Sequence, residues 1–425
     1  MLIYIVNPGD TVSSIARQYN INAETVLYDN QLVFPYDLAV GQALLLDTDY
    51  MPDDLPQAGT AIRSDTALIP VPITTPKPSL VTNGYAYPFI DRDILYETLP
   101  YLTRLSIFSY GFTTEGNLIP PLLADEPLIR AALYRNSANP SDSDTNTNNT
   151  NPASADFTAP FLTLTPFGAD GRFNNNLITQ VINNPAAVDQ LISELEATIL
   201  DKGYMGVDID FEYIVAEDRL AFVSFVAQIR AAVNALGYPT TVALAPKTSD
   251  DQPGLLYEGK DYRLLGEAAD EVLLMTYEWG YTYSEPKAVA PIENVRRVVE
   301  YALSRIPVEK INMGIPNYGY DWPLPYRKGV TAATTIGNIE AVRLAIQYNV
   351  EILYDDIAQT PHFNYTASNG TAHEVWFEDV RSMNAKFDLV QEYGLHGVGY
   401  WQIMRLFRAN WILLANRFSI DFLQR

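Results

Sequence analysis

Three carboxylates stand two residues apart near the middle of the chain, at Asp208, Asp210 and Glu212, and apolar residues alternate with them. In a β-strand, residues two apart point to the same face, so one face of this stretch is acidic and the other is apolar. A buried carboxylate is costly unless it is hydrogen-bonded or shares a proton, and a neighbouring carboxylate raises its pKa. The stretch therefore fits an acidic inner face that opens on a site, with the apolar face covered by helices.

The same pattern also fits an edge strand whose acidic face is solvated, because charged side chains are usually exposed. The two interpretations differ in what surrounds the strand. Helices that cover the apolar face would turn the carboxylates towards an interior site, whereas an edge strand would leave them in water. The elements predicted on either side of the stretch decide between these interpretations.

From residue 79 onward, short β-rich runs alternate with helical patterns, which is typical of βα units. The predicted strands are Leu80–Tyr85, Arg104–Tyr110, Phe161–Thr165, Gly206–Glu212, Thr240–Ala245, Glu271–Tyr277, Asn312–Pro316 and Gly397–Trp401. The predicted helices are Ala187–Leu200, Arg219–Leu236, Ile292–Ser304 and Met383–Tyr393. Eight such strands predict an α/β fold, a (β/α)8 TIM barrel over residues 79–425, whose functional residues lie at the carboxyl ends of the strands. The acidic stretch is then the fourth strand, and its stripe faces inward.

Other predicted strands end in side chains that are suited to binding a sugar. These are Tyr277, Glu278 and Trp279 on the sixth strand, Asn317 and Tyr318 on the seventh, and Trp401 on the eighth. A single aromatic residue is more often packing area than a ligand contact, but a ring of them at one rim is suited to stacking on sugar faces. We therefore expect these residues to bind substrate beside the acidic stripe.

Three segments depart from the βα alternation. Residues 49–78 carry six prolines and are predicted to be a semi-rigid linker, with a short strand at Ala67–Val71 as the alternative for its end. Asn136–Asp156 is a polar, low-complexity insertion in the loop after the second strand. Residues from about 320 to 379 are too long for one crossover, and they predict a small α+β insertion between the seventh and eighth strands that forms one wall of a cleft.

Residues 1–48 predict a separate small domain with the order strand, helix, helix, strand. This segment resembles a LysM module on the basis of Tyr4, Val6, Gly9, Asp10, Thr11, Ile15, Ala16, Gly41, Gln42 and Leu44. The resemblance implies binding of glycans that contain N-acetylglucosamine, such as peptidoglycan or chitin. It places the ligand groove between Gly9–Thr11 and Leu32–Tyr36. The alternative is that Asp10 and Thr11 merely cap the first helix.

The large domain resembles the family 18 glycoside hydrolases, the chitinase-like barrels, over residues 79–415. Their fourth strand carries the pattern D-G-x-D-x-D-x-E, and Gly206–Glu212 matches it, while Met205 replaces the first aspartate. The Met275–Tyr277 and Trp401 positions match two further fixed points of the family. With the LysM module, the segments Met275–Tyr281 and His373–Asp379 resemble the spore cortex-lytic N-acetylglucosaminidases of endospore-forming bacteria.

The family resemblance implies substrate-assisted, retaining hydrolysis, an exception to the usual pair of catalytic carboxylates. Glu212 is then the general acid and base, Asp210 accepts the acetamido N–H of the sugar, and Asp208 shares a proton or a hydrogen bond with Asp210. Tyr277 donates to the acetamido oxygen, and Trp401 is the apolar floor of the site. The implied substrate is a β-linked glycan with N-acetylglucosamine at the cleaved bond.

Composition excludes other classes of partner. The chain has 51 acidic and 28 basic residues and a formal net charge of −23, which argues against nucleic-acid and anionic-membrane partners. It has no cysteine, its three histidines lack metal spacing, and we expect no cofactor and no metal. No apolar run is long enough to span a membrane, and no conventional signal peptide is evident. We expect a monomer associated with the spore cortex or coat, or with the cell wall.

Two alternatives remain at this stage. A chitinase or another endo-N-acetylglucosaminidase would carry the same barrel motifs. A non-catalytic, chitinase-like glycan-binding protein would keep the barrel but would usually have lost the glutamate, which is present here as Glu212.

Overall fold

The computed structural model describes residues 1–48, 67–134, 157–168 and 171–422. The predicted low-complexity segment Asn136–Asp156 and residues 49–66 of the predicted linker lie outside these ranges. The described ranges contain a small N-terminal domain, a large α/β domain and an insertion within the latter.

The N-terminal domain has the predicted order of strand, two helices and strand: β1 (Leu2–Ile5), α1 (Val12–Gln18), α2 (Ala23–Asp29) and β2 (Ala43–Leu46). The Thr11 side chain accepts a hydrogen bond from the Ser14 backbone N–H and caps α1. The Asn22 side chain caps α2 in the same way. Both helices bury one face against the strands, with Ile15, Tyr19 and Val26 at most 1% exposed.

A third strand, β3 (Leu68–Pro70), corrects the prediction for part of the linker. It pairs antiparallel with β1, so that the sheet order is β2-β1-β3. Ile69 and Val71 are buried, and Ile69 lies opposite Ile3 in the register. The strand alternative at Ala67–Val71 is therefore the correct one for these residues, and the proline-rich composition misled the linker prediction here.

The first seven barrel strands of the large domain alternate with helices as predicted, and the short β6 is an additional strand that pairs antiparallel with β5. In chain order the elements are β4 (Ser79–Ala86), α3 (Arg92–Thr98), β5 (Arg104–Phe112), β6 (Leu118–Ile119), α4 (Glu126–Leu133), β7 (Ala159–Leu164), α5 (Asn176–Ile182), α6 (Pro185–Lys202), β8 (Val207–Ile209), α7 (Arg219–Ala235), β9 (Thr240–Leu244), α8 (Tyr262–Ala268), β10 (Glu271–Leu274), α9 (Ile292–Leu303) and β11 (Ile311–Pro316). Gly203 ends α6 in the left-handed conformation, at φ 83°.

The predicted α+β insertion follows β11 and spans residues 319–376. Its elements are β12 (Gly319–Pro323), β13 (Thr334–Ile336), α10 (Asn338–Gln347), β14 (Leu353–Asp355), β15 (Thr360–Thr366) and β16 (Ala372–Trp376). The strands form an antiparallel sheet in the order β13-β12-β16-β15-β14. The chain then returns to the barrel with α11 (Val380–Tyr393), β17 (Gly397–Trp401), α12 (Arg408–Arg417) and β18 (Ser419–Ile420).

Eight parallel strands close into a barrel and confirm the predicted fold class. Their order around the ring is β4-β17-β11-β10-β9-β8-β7-β5, and β4 pairs with β5 to close it. The strand that carries the acidic stretch is shorter than predicted, because its ladder ends at Ile209. Asp210 and Glu212 therefore follow the strand, at the carboxyl end where barrels of this kind place functional residues.

The apolar face of the acidic stretch is covered by helix α7. Val207, Ile209 and Phe211 are fully buried. The Phe211 ring lies 5.9 Å from that of Phe222 and 5.6 Å from that of Phe225, both on α7. This packing excludes the edge-strand interpretation and turns the carboxylates inward.

The N-terminal domain is docked on the barrel and the insertion. The Ile352 backbone N–H donates to the Val40 carbonyl at 2.9 Å, and the Arg381 guanidinium donates to the Gly41 carbonyl at 3.1 Å. Arg408 of α12 donates to the Tyr28 carbonyl at 2.6 Å, and its guanidinium lies 3.9 Å from the centre of the Tyr28 ring. Within the described ranges, no helix has the length and apolarity to cross a membrane.

Gly41→Ala should test this docking. Gly41 has φ 80°, and an added Cβ would lie 2.0 Å from the Ile352 carbonyl oxygen. An alanine in this left-handed backbone conformation lowers the free energy of unfolding by about 1–2 kcal/mol. Relieving the overlap with Ile352 should lower it by a further ~1–3 kcal/mol. The free energy of unfolding in urea, together with hydrogen exchange at Ile352, measures both effects.

The matched control is Gly9→Ala, because Gly9 has φ 89° but no atom within 4 Å of an added Cβ. This variant should lose only the free energy that the left-handed backbone conformation costs, and hydrogen exchange at Ile352 should be unchanged. Equal losses of stability in the two variants would contradict the close contact.

Candidate active site

Asp208 is the innermost carboxylate and is completely buried on β8. Its Oδ1 accepts a hydrogen bond from the Thr241 hydroxyl of β9 at 2.5 Å. Its Oδ2 is buried and has no hydrogen-bond partner among the described residues. Burial raises the pKa of this carboxyl, and the Thr241 hydrogen bond opposes the rise. Asp208 is therefore suited to sharing a proton with a neighbour.

Asp210 follows the strand and is 7% exposed. Its backbone N–H donates to the Leu164 carbonyl of β7 at 2.9 Å, which fixes the residue at the rim. Its buried Oδ1 lacks a hydrogen-bond partner in the part of the chain that is described. Burial holds the pKa of Asp210 well above its usual range, and the charges of Glu212 and Asp208 raise it further. Asp210 Oδ1 is therefore free to accept a hydrogen bond from a ligand.

Glu212 is the outermost and the least buried of the three carboxylates. Burial raises its pKa, and the positive charge of Lys260 opposes that rise. Its side chain is half-buried, so it is in contact with the cleft as well as with the protein interior. A carboxyl with a raised pKa and access to a ligand fits a general acid.

Tyr277 follows β10 and lies close to the carboxylates. It is 8% exposed, and burial raises the pKa of its hydroxyl, with the charges of Asp210 and Glu212 adding to the effect. Gly314 on the neighbouring β11 leaves room for the ring, because a Cβ there would lie 2.7 Å from Tyr277 Cε1. Tyr277 therefore remains a protonated donor near the two carboxyls.

Glu278 is exposed to the cleft and has the positive φ of 66°. Its carboxylate accepts hydrogen bonds from the Tyr318 hydroxyl and, at 3.0 Å, from the Tyr320 hydroxyl. Trp279 beside it is half-buried, and its backbone N–H donates to the Val289 carbonyl. Tyr318 is thus positioned to orient Glu278, and Glu278 is a second carboxylate at the rim.

Trp401 ends β17 and forms an aromatic wall with residues of β4 and β5. Its ring centre lies 5.0 Å from that of Phe108, 5.7 Å from that of Tyr85 and 6.3 Å from that of Tyr87. Trp401 is half-buried, so part of the indole faces the cleft. The peptide bonds Trp401–Gln402 and Phe108–Ser109 are both cis.

Asn317, which the sequence placed among the sugar-binding residues, lies behind the rim. It is 2% exposed, and its side-chain amide donates to the carbonyls of Gln402 and Arg405. Its backbone N–H donates to the Trp401 carbonyl at 3.0 Å. The amide therefore secures the loop that follows Trp401.

Several residues that the sequence did not single out belong to this site: Tyr85, Tyr87, Phe108, Thr241 and Lys260. The pKa of Tyr85 is raised by burial and by the charges of Asp208 and Asp210. Its buried hydroxyl lies outside hydrogen-bonding geometry but is close enough to Asp208 to lower the pKa of that carboxyl. The only available signal was position, since Tyr85 closes the first predicted strand. The described residues contain no group of three or more acidic or histidine side chains arranged to hold a metal ion.

The predicted LysM residues lie apart from this cluster, on the N-terminal domain. Gly9 is exposed and turns the chain, Asp10 accepts hydrogen bonds from the Tyr4 hydroxyl and the Asn7 N–H, and Thr11 caps α1. The side chains of Asp10 and Thr11 thus have structural partners. Glycan contact through the same loop stays a prediction.

Comparison with known proteins identifies the class. The model for glycosyl hydrolases family 18 matches residues 164–405, and the LysM domain model matches residues 4–47. The chain belongs to family 18 of the glycosyl hydrolases and carries an N-terminal LysM domain. It is a glycoside hydrolase, as the sequence predicted.

Full-length relatives narrow the relationship. The cortical fragment-lytic enzyme of Bacillus subtilis is 34% identical and is matched over 99% of each chain. The crystal structure of the Bacillus cereus spore cortex-lytic enzyme SleL matches this chain with a TM-score of 0.86 and 32% sequence identity. The match covers 99% of this chain and 98% of that chain. A chitinase of Chromobacterium violaceum shares the fold at 24% identity and a TM-score of 0.70, over 80% of this chain and 98% of that chain. The chain is thus related to the spore cortex-lytic enzymes.

Asp210→Asn should stabilise the fold at neutral pH. The folded-state pKa of Asp210 is raised above the unfolded-state value, so the wild type loses stability as the pH rises through the interval between them. The neutral amide removes that penalty. The variant should therefore be more stable than wild type at pH 7, and the gain should shrink towards pH 4, in urea unfolding at each pH.

Asp218→Asn is the control for a buried carboxylate that has partners. Asp218 is 6% exposed and accepts hydrogen bonds from Thr179 and Asn183. Its amide variant should be less stable than wild type. A loss of stability in Asp210→Asn at pH 7 would contradict the penalty assigned to Asp210.

Proposed function

We propose that this protein cleaves β-linked N-acetylglucosamine in peptidoglycan, with the spore cortex as its substrate, by substrate-assisted retaining catalysis. The observation that carries the proposal is the contrast within the acidic stripe. Asp210 is buried with an unpartnered oxygen, whereas Glu212 is half-buried and reaches the cleft. One carboxyl is thus placed to accept a hydrogen bond, and the other to exchange a proton.

In the first step, Glu212 gives its proton to the glycosidic oxygen as the bond to the anomeric carbon breaks. The acetamido oxygen of the same sugar attacks that carbon and forms a cyclic oxazolinium ion. Asp210 accepts the acetamido N–H through its free Oδ1 and balances the developing positive charge. Tyr277 donates its hydroxyl to the acetamido oxygen and holds it in line for attack.

In the second step, the deprotonated Glu212 takes a proton from water as the water oxygen attacks the anomeric carbon and the ring of the oxazolinium opens. The proton returns to Glu212, and the product keeps the anomeric configuration of the substrate. Asp208 shares a proton or a hydrogen bond with Asp210 through its own unpartnered Oδ2. Trp401 supplies an apolar surface beneath the sugar ring.

Further contacts to the glycan come from Glu278 and Trp279 at the rim. Glu278 projects into the cleft, held by Tyr318 and Tyr320. Because Asn317 and Tyr318 are both buried, they contribute by fixing the loop of Trp401 and the carboxylate of Glu278.

The N-terminal domain supports a cell-wall glycan as ligand. A groove of about 760 Å³ lies where the LysM resemblance expects one, and the insertion forms its other wall. Its lining includes Asp10, Thr11 and Tyr36 of the LysM domain and Asn349 and Glu351 of the insertion. A groove of this size accommodates a short glycan segment. Binding there would keep the enzyme on peptidoglycan, in the spore or the cell wall.

The relatives favour the cortex over the alternatives. The full-length relatives with more than 30% identity are named as cortex-lytic or sporulation-specific glycosylases, whereas the chitinase is similar below 25% and supports the fold alone. The non-catalytic alternative requires a damaged acidic stripe, and Glu212, Asp210 and Tyr277 are all present at one rim.

Glu212→Gln should preserve the fold and glycan binding but lower turnover by about 10²–10⁴-fold or more, because the general acid is lost. Turnover of purified peptidoglycan fragments and the melting temperature measure the two effects. Glu217→Gln is the matched control, since Glu217 is an exposed acid on the same loop. It should hydrolyse at the wild-type rate. Hydrolysis by Glu212→Gln near the wild-type rate would refute the mechanism.

Digestion of three purified polymers should identify the substrate. Spore cortex, vegetative peptidoglycan and chitin are incubated with the enzyme, and new reducing ends are reduced with borohydride and identified after hydrolysis. We expect N-acetylglucosamine ends from cortex, released as the β-anomer in early proton NMR spectra. Release from chitin alone would overturn the assignment to peptidoglycan while leaving the catalytic roles intact.

A further inference from the structure

Lys260 is a buried lysine behind the acidic stripe, immediately before α8. It is completely buried, and its Nζ donates to the Ala243 carbonyl of β9 at 2.8 Å. The Nζ also lies 5.7 Å from the centre of the Phe222 ring. An ammonium has three donors and is strongly hydrated in water, so one carbonyl and one ring compensate its burial poorly. Nearby negative charge would therefore stabilise the ammonium of Lys260 at this position.

The chain fixes Lys260 relative to the segment that carries Glu212. The Lys260 carbonyl accepts a hydrogen bond from Lys247 Nζ at 2.9 Å. Gly259 is pressed against the chain two residues beyond Glu212, where an added Cβ would lie 2.2 Å from the Ile214 carbonyl oxygen. The ammonium is thus held in a set place rather than on a mobile side chain.

The acceptor of the Lys260 ammonium, Ala243, follows Val242 on β9, and Val242 pairs with Ile209, the residue before Asp210. Asp210 and Glu212 are the negative charges that act on Lys260. Burial lowers the pKa of Lys260 to about 8, and these two carboxylates oppose that fall. In return, the ammonium lowers the pKa of both carboxyls. Among the described residues, Lys260 forms no direct ion pair with either, so the charges act through the poorly polarisable interior.

The other groups around the carboxyl pair do not supply positive charge. They are Tyr85 and Tyr87 from the β4 side, Asp208 on β8, and Tyr277 and Glu278 after β10. The tyrosines are neutral donors, and the acidic groups disfavour ionisation of the pair. Arg104 acts on Asp208 and belongs to an ion pair with Glu271.

The geometry points to Lys260 as a positioning residue for the hydrolysis, whose buried charge limits the Asp210–Glu212 pair to one proton. This inference rests on the catalytic roles proposed above. With the ammonium in place, the pair carries one negative charge and one proton. When a substrate's acetamido N–H binds to Asp210, it stabilises the charge on that carboxylate, and the proton then lies on Glu212, which must donate it. Without the ammonium, the pair keeps its second proton to a higher pH, and in that state Asp210 lacks the charge that balances the oxazolinium ion.

Lys260→Met tests the inference with an apolar side chain of similar length. Because both pKa values of the pair rise when the cation is removed, the bell-shaped profile of kcat/KM against pH should move to higher pH by on the order of one unit. The substrate is a soluble aryl β-glycoside of an N-acetylglucosamine oligomer. Lys310→Met is the control: this lysine also donates to backbone carbonyls, of Gly266 and Ala269, but its charge acts on neither carboxyl, so the profile should keep its position.

Restoring the charge should restore the profile. The chain has no cysteine, so Lys260→Cys can be unfolded, alkylated with 2-bromoethylamine at that one thiol and refolded. The product carries an ammonium on a side chain of nearly lysine length. Its kcat/KM profile should return to the wild-type position. If Lys260 only filled space, Lys260→Met would already have the wild-type profile, and adding the ammonium would change nothing.

A second readout is independent of turnover. The carboxyl ¹³C signal of Glu212, assigned by its absence in Glu212→Gln, should titrate about one unit higher in Lys260→Met than in wild type. Unchanged titration, or a profile that superimposes on wild type after scaling, would overturn the role of Lys260. Near-wild-type turnover by Glu212→Gln would instead defeat the proposed mechanism, which separates the two failures.

Discussion

The structure depends on keeping Asp208 and Asp210 out of water while Glu212 beside them reaches the cleft. Each buried acid costs free energy unless it is protonated or paired, and the closed ring of parallel strands leaves no edge through which water could reach Asp208. The apolar face of the same stretch, packed on α7, is what holds the acidic face inward. The seven-residue stretch Gly206–Glu212 thus joins the hydrophobic core to the polar centre. The packing that stabilises the core also buries the carboxylates, and this burial costs free energy.

Around these acids the described residues supply hydrogen-bond donors and the more distant charges of Lys260 and Arg104 rather than direct ion pairs. Asp208 has one hydroxyl partner, Asp210 has a free oxygen, and Lys260 acts at a distance. A fully paired carboxylate would have a low pKa and little reason to exchange a proton or to take a ligand's N–H. The incomplete pairing is therefore the property that distinguishes this cluster from a structural ion pair such as Arg104–Glu271, in which the pKa of the carboxyl is lowered.

The sequence was sufficient for the barrel because its strands are short, buried and separated by amphipathic helices, and each predicted strand overlaps an observed one. It was insufficient for Leu68–Pro70, whose three residues are stabilised by pairing with a distant strand. The burial of Lys260 could not be predicted, since lysine is normally exposed and only the folded chain brings it behind Glu212. Tyr85 was passed over because an aromatic residue at the end of a strand looks the same in sequence whether it faces the core or a ligand. Asn317 was singled out by its position at a strand end, and only the fold shows that its amide is engaged by the following loop.

The docking of the N-terminal domain has a consequence for how the enzyme moves on its substrate. A binding module on a flexible tether lets the catalytic unit sweep a volume set by the tether length, and cuts fall anywhere within that reach. Here Arg381 and Arg408 hold the module on the barrel, and the insertion both lines the groove of the module and contacts Glu278 at the rim of the candidate active site. A glycan held in that groove would be cut at a distance that the rigid docking of the two domains fixes. The lengths of the products would then reflect the separation between the groove and the candidate active site.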